Sequence, residues 1–140
     1  MELVKRGLNW ISNNCHFCNG DIEDCDHLFV GCQVAKEIWE WIFDWCNIDL
    51  VHCSKVDELI SFAANWGRCP KKRQVFLAII YGYLWSIWKS RNDIVFSRKR
   101  MSAAAIIDNI CTSVFDWVKH RGRFANCSWA IWICCPFNVL

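Results

Sequence analysis

Apolar positions along this chain fall into helical stripes behind a polar, cysteine-rich start. Residues 1–14 show no periodicity, and Gly7, Asn9, Ser12, Asn13 and Asn14 read as a loop. Asn19-Gly20-Asp21 is a turn signal. From residue 33 to 46 the spacing becomes helical, with Val34, Ile38, Trp41, Ile42 and Trp45 on one stripe, Trp39 off it and Asn47 as the stop. A second helix is expected from Ser54, with Asp57 three residues on as a capping-box variant. Its face is Val56, Leu59, Ile60, Ala63 and Trp66, and Gly67 and Pro70 end it.

The longest helix spans about residues 71–97. Its first half is apolar nearly all round and is expected to sit centrally. Gly82 marks a close helix crossing, and Ile94, Val95 and Phe96 are expected to point inward. A fourth helix covers about residues 102–121, with Ile106, Ile107, Ile110, Cys111, Val114, Phe115, Trp117 and Val118 as a wide stripe and Gly122 just beyond it. The remainder, β-branched, aromatic and broken by Pro136, reads as an extended tail laying Trp129 and Trp132 on the helices. The expected fold is therefore mostly α. It is a single domain over residues 1–140, with a metal loop at 15–32, about four helices in a body at 33–122, and an extended tail at 123–140.

Composition adds constraints. Over 140 residues, 54% hydrophobic and 21% charged content argues against disorder, and ten tryptophans imply a core of large rings or a stacking surface. A net charge of +2 is too weak to indicate nucleic-acid binding, so any such binding must come from local patches. The apolar run from Val75 to Trp88 is 14 residues, short of the roughly 20 a membrane helix needs. The first 14 residues contain no secretory h-region. A reducing intracellular setting follows, nucleus or cytoplasm with the nucleus favoured, and no membrane or small-molecule partner is expected. Of eleven cysteines, Cys46, Cys53, Cys69, Cys111, Cys127, Cys134 and Cys135 read as small buried apolar side chains.

The other four cysteines lie in CHFCNGDIEDCDHLFVGC, residues 15–32. Cys15 and Cys18 have the C-x2-C spacing with which one turn presents two sulfurs to one ion. His27 and Cys32 return four residues apart, giving C-x2-C-x8-H-x4-C. His16 and Cys25 are rivals, since Cys25 lies two residues before His27 and could replace it. His27 is preferred because it leaves a regular H-x4-C pair enclosing Leu28-Phe29. A Cys3His zinc site is closed, structural and formally −1, so it brings no positive charge to bind nucleic acid.

These residues resemble the zinc-binding domain that follows the polymerase in plant LINE-type (non-LTR) reverse transcriptases. Leu3, Arg6 and Gly7 match its lead-in, Cys15 and Cys18 its first pair, and Glu23, His27, Leu28, Phe29 and Cys32 its second block. Trp39, Trp45 and Cys46 match its helix. Residues 84–96 are similar to its W-x2-W-x2-R-N-x3-F segment, and Trp129, Trp132 and Pro136 to its closing W-x2-W-x3-P. The resemblance implies one structural zinc on Cys15, Cys18, His27 and Cys32, with Cys25 a bystander. Asp24 stands where the family has threonine. The family domain begins before Met1, which implies an N-terminally truncated domain.

The resemblance further implies a module that helps a polymerase hold RNA template or DNA target, with that polymerase domain as a partner. Lys71, Lys72 and Arg73, and Arg98, Lys99 and Arg100, are the basic clusters that could meet phosphates. The alternative is a zinc-stabilised protein-interaction domain without nucleic-acid contact. An enzyme is not expected. The chain has no Asp-Asp pair of the kind a two-metal polymerase needs, and His52-Cys53 reads as a polar turn.

Overall fold

The structure, a computed structural model, describes residues 14–121 and 127–139. Residues 1–13 of the expected loop, with the matches at Leu3, Arg6 and Gly7, and Gly122 and residues 123–126 and 140 of the expected tail lie outside them. Among the described residues five α-helices follow the cysteine loop: α1 (Gln33–Trp45), α2 (Val56–Asn65), α3 (Pro70–Ser97), α4 (Ala103–His120) and α5 (Trp129–Cys134). A single π-helical turn, His27–Gly31, precedes α1, and a 3-10 turn, Pro136–Val139, closes the chain. Among the described residues there is no strand, only an isolated antiparallel bridge between Asn14 and Ile22.

Helix ends follow local chemistry. Pro70 opens α3 at the first turn, where its missing N–H costs no hydrogen bond. Ser102 caps α4, its hydroxyl accepting from the Ala105 N–H at 3.2 Å. Lys119 and His120 occupy the last turn of α4, at the negative end of its dipole. Asn47 stops α1 and Arg98 stops α3, each in the left-handed conformation (φ 55° and 54°). The second helix begins later than its sequence suggests. Lys55, not Ser54, sits at its N-terminus, and the Ser54 N–H instead donates to Glu58 at 3.0 Å. The Val56 N–H is satisfied from a distance by Asp26 of the cysteine loop, at 2.9 Å.

Helix α3 is the organising element. It packs against α2 and α4 and touches both the π turn and the C-terminal turn. Gly82 is where α4 approaches, because a Cβ there would overlap Val114. Phe43, Phe76, Ile79, Ile80, Tyr83, Ile87, Ile106, Ile110 and Trp132 are fully buried in one core. Each such side chain contributes about 1.5–3 kcal/mol of transfer free energy.

Several expectations are corrected. The tail is not extended: residues 129–134 are helical, capped by Ser128, whose hydroxyl accepts from the Ile131 N–H at 3.3 Å. Burial of Trp132 overrides the β-branched preference. Its ring meets Trp45 edge-on at 5.1 Å, and its N–H donates to the Cys111 carbonyl at 3.0 Å. The buried face of α1 is rotated from the Val34/Trp41 stripe toward Ala35, Trp39 and Phe43, because both the π turn and the helical body cover it. Phe96 points outward at 62% exposure, and α3 leaves one aromatic face uncovered instead of being buried all round. Trp117 of α4 is likewise exposed. Cys46, Cys53, Cys111 and Cys127 are buried and Cys135 is half-buried, but Cys69 and Cys134 are exposed. None of the eleven cysteines is in a disulfide.

Candidate metal centre

The loop before α1 folds so that four donor atoms converge. Cys15 and Cys18 flank a tight turn. Just after it the Asn19 N–H donates to the Cys15 carbonyl at 2.7 Å, and Asn19 takes the left-handed conformation that the reversal needs. The Cys15 N–H donates to the Asp21 carbonyl at 2.8 Å and closes the knuckle. On the return, the His27 N–H donates to the Asp24 carboxylate at 2.7 Å, which starts the π turn. The wide turn then places Cys32, whose N–H donates to the His27 carbonyl at 2.6 Å, at the start of α1.

The ligand atoms of Cys15, Cys18, His27 and Cys32 all lie within 4.8 Å of one another. Cys15 Sγ and Cys32 Sγ are 3.7 Å apart, and Cys18 Sγ and His27 Nε2 are 3.3 Å apart. A tetrahedral zinc with bonds of about 2.3 Å to sulfur and 2.0–2.1 Å to nitrogen sets these separations at about 3.8 Å and 3.6 Å. The residues therefore fit one four-coordinate zinc with no vacant ligand position. Cys15 and Cys32 are buried, while Cys18 and His27 are half-buried. Cys25 is exposed and lies outside the set. His16 is outside it too, with its ring turned to Glu23.

The electrostatics suit a cation. Burial pushes the Cys15 thiol up to about 12, and it also raises Cys32. At Cys18 burial raises the thiol too. Backbone N–H groups of Gly20 and Asp21 and the His27 and Cys15 side chains outweigh it, and hold the thiol down at about 6. Thiols crowded in this way resist ionising together, and a divalent ion supplies the charge that makes all three thiolates. His27 presents Nε2 to the site, and its Nδ1 faces the Asp21 carboxylate at 3.9 Å, a partner on the outer side of the ligand.

A second layer clamps the loop to the body. Glu23 is almost wholly buried. One of its oxygens accepts from Arg91 Nε at 2.8 Å, and the other lies 2.9 Å from His16 Nδ1 and accepts from the His16 N–H at 3.2 Å. Burial raises the Glu23 carboxyl, but His16 and Arg91 outweigh it and hold the group below the usual carboxylate range. Arg100 donates to the His16 and Phe17 carbonyls, at 2.9 and 3.4 Å. Tyr83, buried in α3, donates its hydroxyl to the Phe29 carbonyl of the π turn. Nothing in the local sequence marks His16, Glu23 or Arg91 as a clamp. Glu23 and Arg91 are 68 positions apart, and nothing local pairs them.

The two basic clusters fall at opposite ends of α3, about 42 Å apart at 1.5 Å per residue. Lys71, Lys72, Arg98 and Lys99 are exposed. Arg73 instead caps the end of α2, donating to the Trp66 and Gly67 carbonyls at 2.9 and 2.7 Å. Arg100 braces the zinc loop. Cys53 is buried beside exposed His52, in an irregular segment. Among the described residues no helix is long and apolar enough to cross a membrane.

Fold and site together define a helical module built around one structural zinc. Residues 1–39, which include all four ligands, match the model of a family described as zinc-binding in reverse transcriptase. No curated protein and no solved structure matches the chain.

Proposed function

We propose that this chain is a non-catalytic, zinc-stabilised module that binds single-stranded nucleic acid, acting beside the polymerase domain of a plant LINE-type reverse transcriptase. The zinc holds the loop against the helices, and the binding surface lies on α3. The observation that carries this reading is a separation of charge. Residues 70–100 hold eight of the sixteen Lys and Arg and one of the fourteen Asp and Glu, a net +7, which leaves −5 for the rest of the chain. Arg91 is neutralised by Glu23, and Asp93 lies 3.5 Å from Lys89. Lys71 and Lys72 occupy the positive end of the α3 dipole, a position that disfavours cations by about 0.3–1 kcal/mol each. Helix stability does not account for lysines there, whereas a phosphate backbone would.

The test is anisotropy of a labelled single-stranded RNA 20-mer across a salt series. Four phosphate contacts give a log–log slope of about −3. Replacing Lys71 and Lys72 with Ala weakens binding and reduces the magnitude of the slope by about 1.4. No binding at low salt removes this reading. A second reading, a protein-interaction domain, is favoured by one observation: Trp129, Ile131 and Ile133 of α5 are all exposed. Self-association without RNA binding would support it.

A further inference from the structure

The uncovered face of α3 carries an aromatic row. Tyr81, Trp85, Trp88 and Phe96 are 52%, 63%, 44% and 62% exposed. Their spacing of four, three and eight residues keeps them within one side of the helix at 100° per residue, along about 22 Å of its axis. Among the described residues no other aromatic ring packs on any of them, although ring pairs run throughout the core. So large an exposed aromatic surface is not core packing, and it marks a contact site.

We infer that this row is a stacking platform for the bases of a single-stranded nucleic acid, and that its backbone runs toward Arg98 and Lys99. This rests on the nucleic-acid reading above and names the surface responsible. Charge selects the occupant. The row lies in residues 70–100, a segment of net +7 in a chain whose remainder sums to −5, and Arg98 and Lys99 stand exposed two and three residues beyond Phe96. A flat row of rings beside positive charge accepts any base and requires an unpaired strand, because bases within a duplex present no open face.

The zinc loop reaches this platform at one rung. Arg91, held by Glu23, places its guanidinium 5.6 Å from the Trp88 ring centroid. The metal clip and the stacking face therefore share a residue, which gives the zinc a bearing on binding although it contributes no positive charge.

The experiment uses the zinc-loaded full chain, with Trp85→Ala, Phe96→Ala and the conservative Trp85→Phe. Helicity and zinc content are checked first. Probes are a labelled 15-mer of oligouridine, an RNA duplex of equal length, and heparin as a polyanion without bases. Each alanine variant is expected to weaken the single strand about tenfold. The salt slope and heparin binding are expected to stay unchanged, and Trp85→Phe to recover most of the loss. The wild type is expected to prefer the single strand to the duplex. If both alanine variants bind oligouridine as the wild type does, the platform is wrong while the nucleic-acid reading stands. If the wild type binds neither RNA nor heparin at low salt, both fail. If sedimentation shows a wild-type dimer that Trp85→Ala dissociates, with RNA binding intact, the face joins two copies of the chain and the inference is overturned.

Discussion

Removing the Glu23 carboxylate tests the energetic link between the zinc loop and the helical body. Glu23 and Arg91 are each only 3–4% exposed, and their contact is 2.8 Å. In Glu23→Ala the buried Arg91 guanidinium loses the Glu23 carboxylate, and the His16 N–H loses its acceptor. Breaking a buried pair from one side costs about 3–5 kcal/mol, mostly the desolvation of the charge left behind. That is a large part of the roughly 5–15 kcal/mol available to a domain. Arg91→Met keeps the apolar stem against the core and removes the charge, leaving Glu23 in the complementary position. The double variant Glu23→Ala/Arg91→Met leaves neither charge behind, so its loss should fall short of the sum of the singles by about 2–3 kcal/mol. The assay is urea unfolding of zinc-loaded protein, followed by tryptophan fluorescence, with the slope m checked for constancy. Single losses below about 1 kcal/mol, or strict additivity, would falsify the claim that this pair anchors the loop.

Three further outcomes follow from the same contacts. Native mass spectrometry should find one zinc on the wild type and on Cys25→Ser and none on Cys32→Ser; zinc retained by Cys32→Ser would displace the assigned ligand set. Gly82→Val should destabilise by at least about 1–3 kcal/mol through its clash with Val114, and Gly82→Val/Val114→Ala should recover part of it in thermal melts; no recovery would place the strain elsewhere. Because Glu23 titrates lower in the folded chain than in the unfolded one, its contribution is complete above the ordinary carboxylate range near 4.5 and is lost as pH falls through the depressed folded value. The stability gap between wild type and Glu23→Gln should therefore shrink on acidification, and a gap that is flat with pH would refute the assignment.

How much was legible beforehand differs by element. The ligand pattern was readable because metal ligands sit close in sequence and their spacing reflects the turn that presents them. The four long helices were readable because stripes at the 3.6 period are local, and Gly82 announced the crossing at Val114. The short helix at residues 129–134 was not, because its composition favours a strand and only the burial of Trp132 against Trp45 and Cys111 decides otherwise. Cys69 and Cys134 looked like core residues and are exposed, since a small thiol carries no mark of which way it faces.

The sequence by itself determined a helical body, a Cys3His donor set and a basic stretch bounded by Lys71 and Arg100, because each depends on neighbours in the chain. Only the tertiary structure decided which charges are structural and which face outward. Arg91, Arg73 and Arg100 look like any surface cations, yet one is buried on Glu23, one caps α2 and one braces the zinc knuckle. Tyr81, Trp85, Trp88 and Phe96 look like core, yet they form an open row. The physical reason is the same in both cases. Local pattern sets how a segment coils, but burial depends on what the rest of the chain brings to each face.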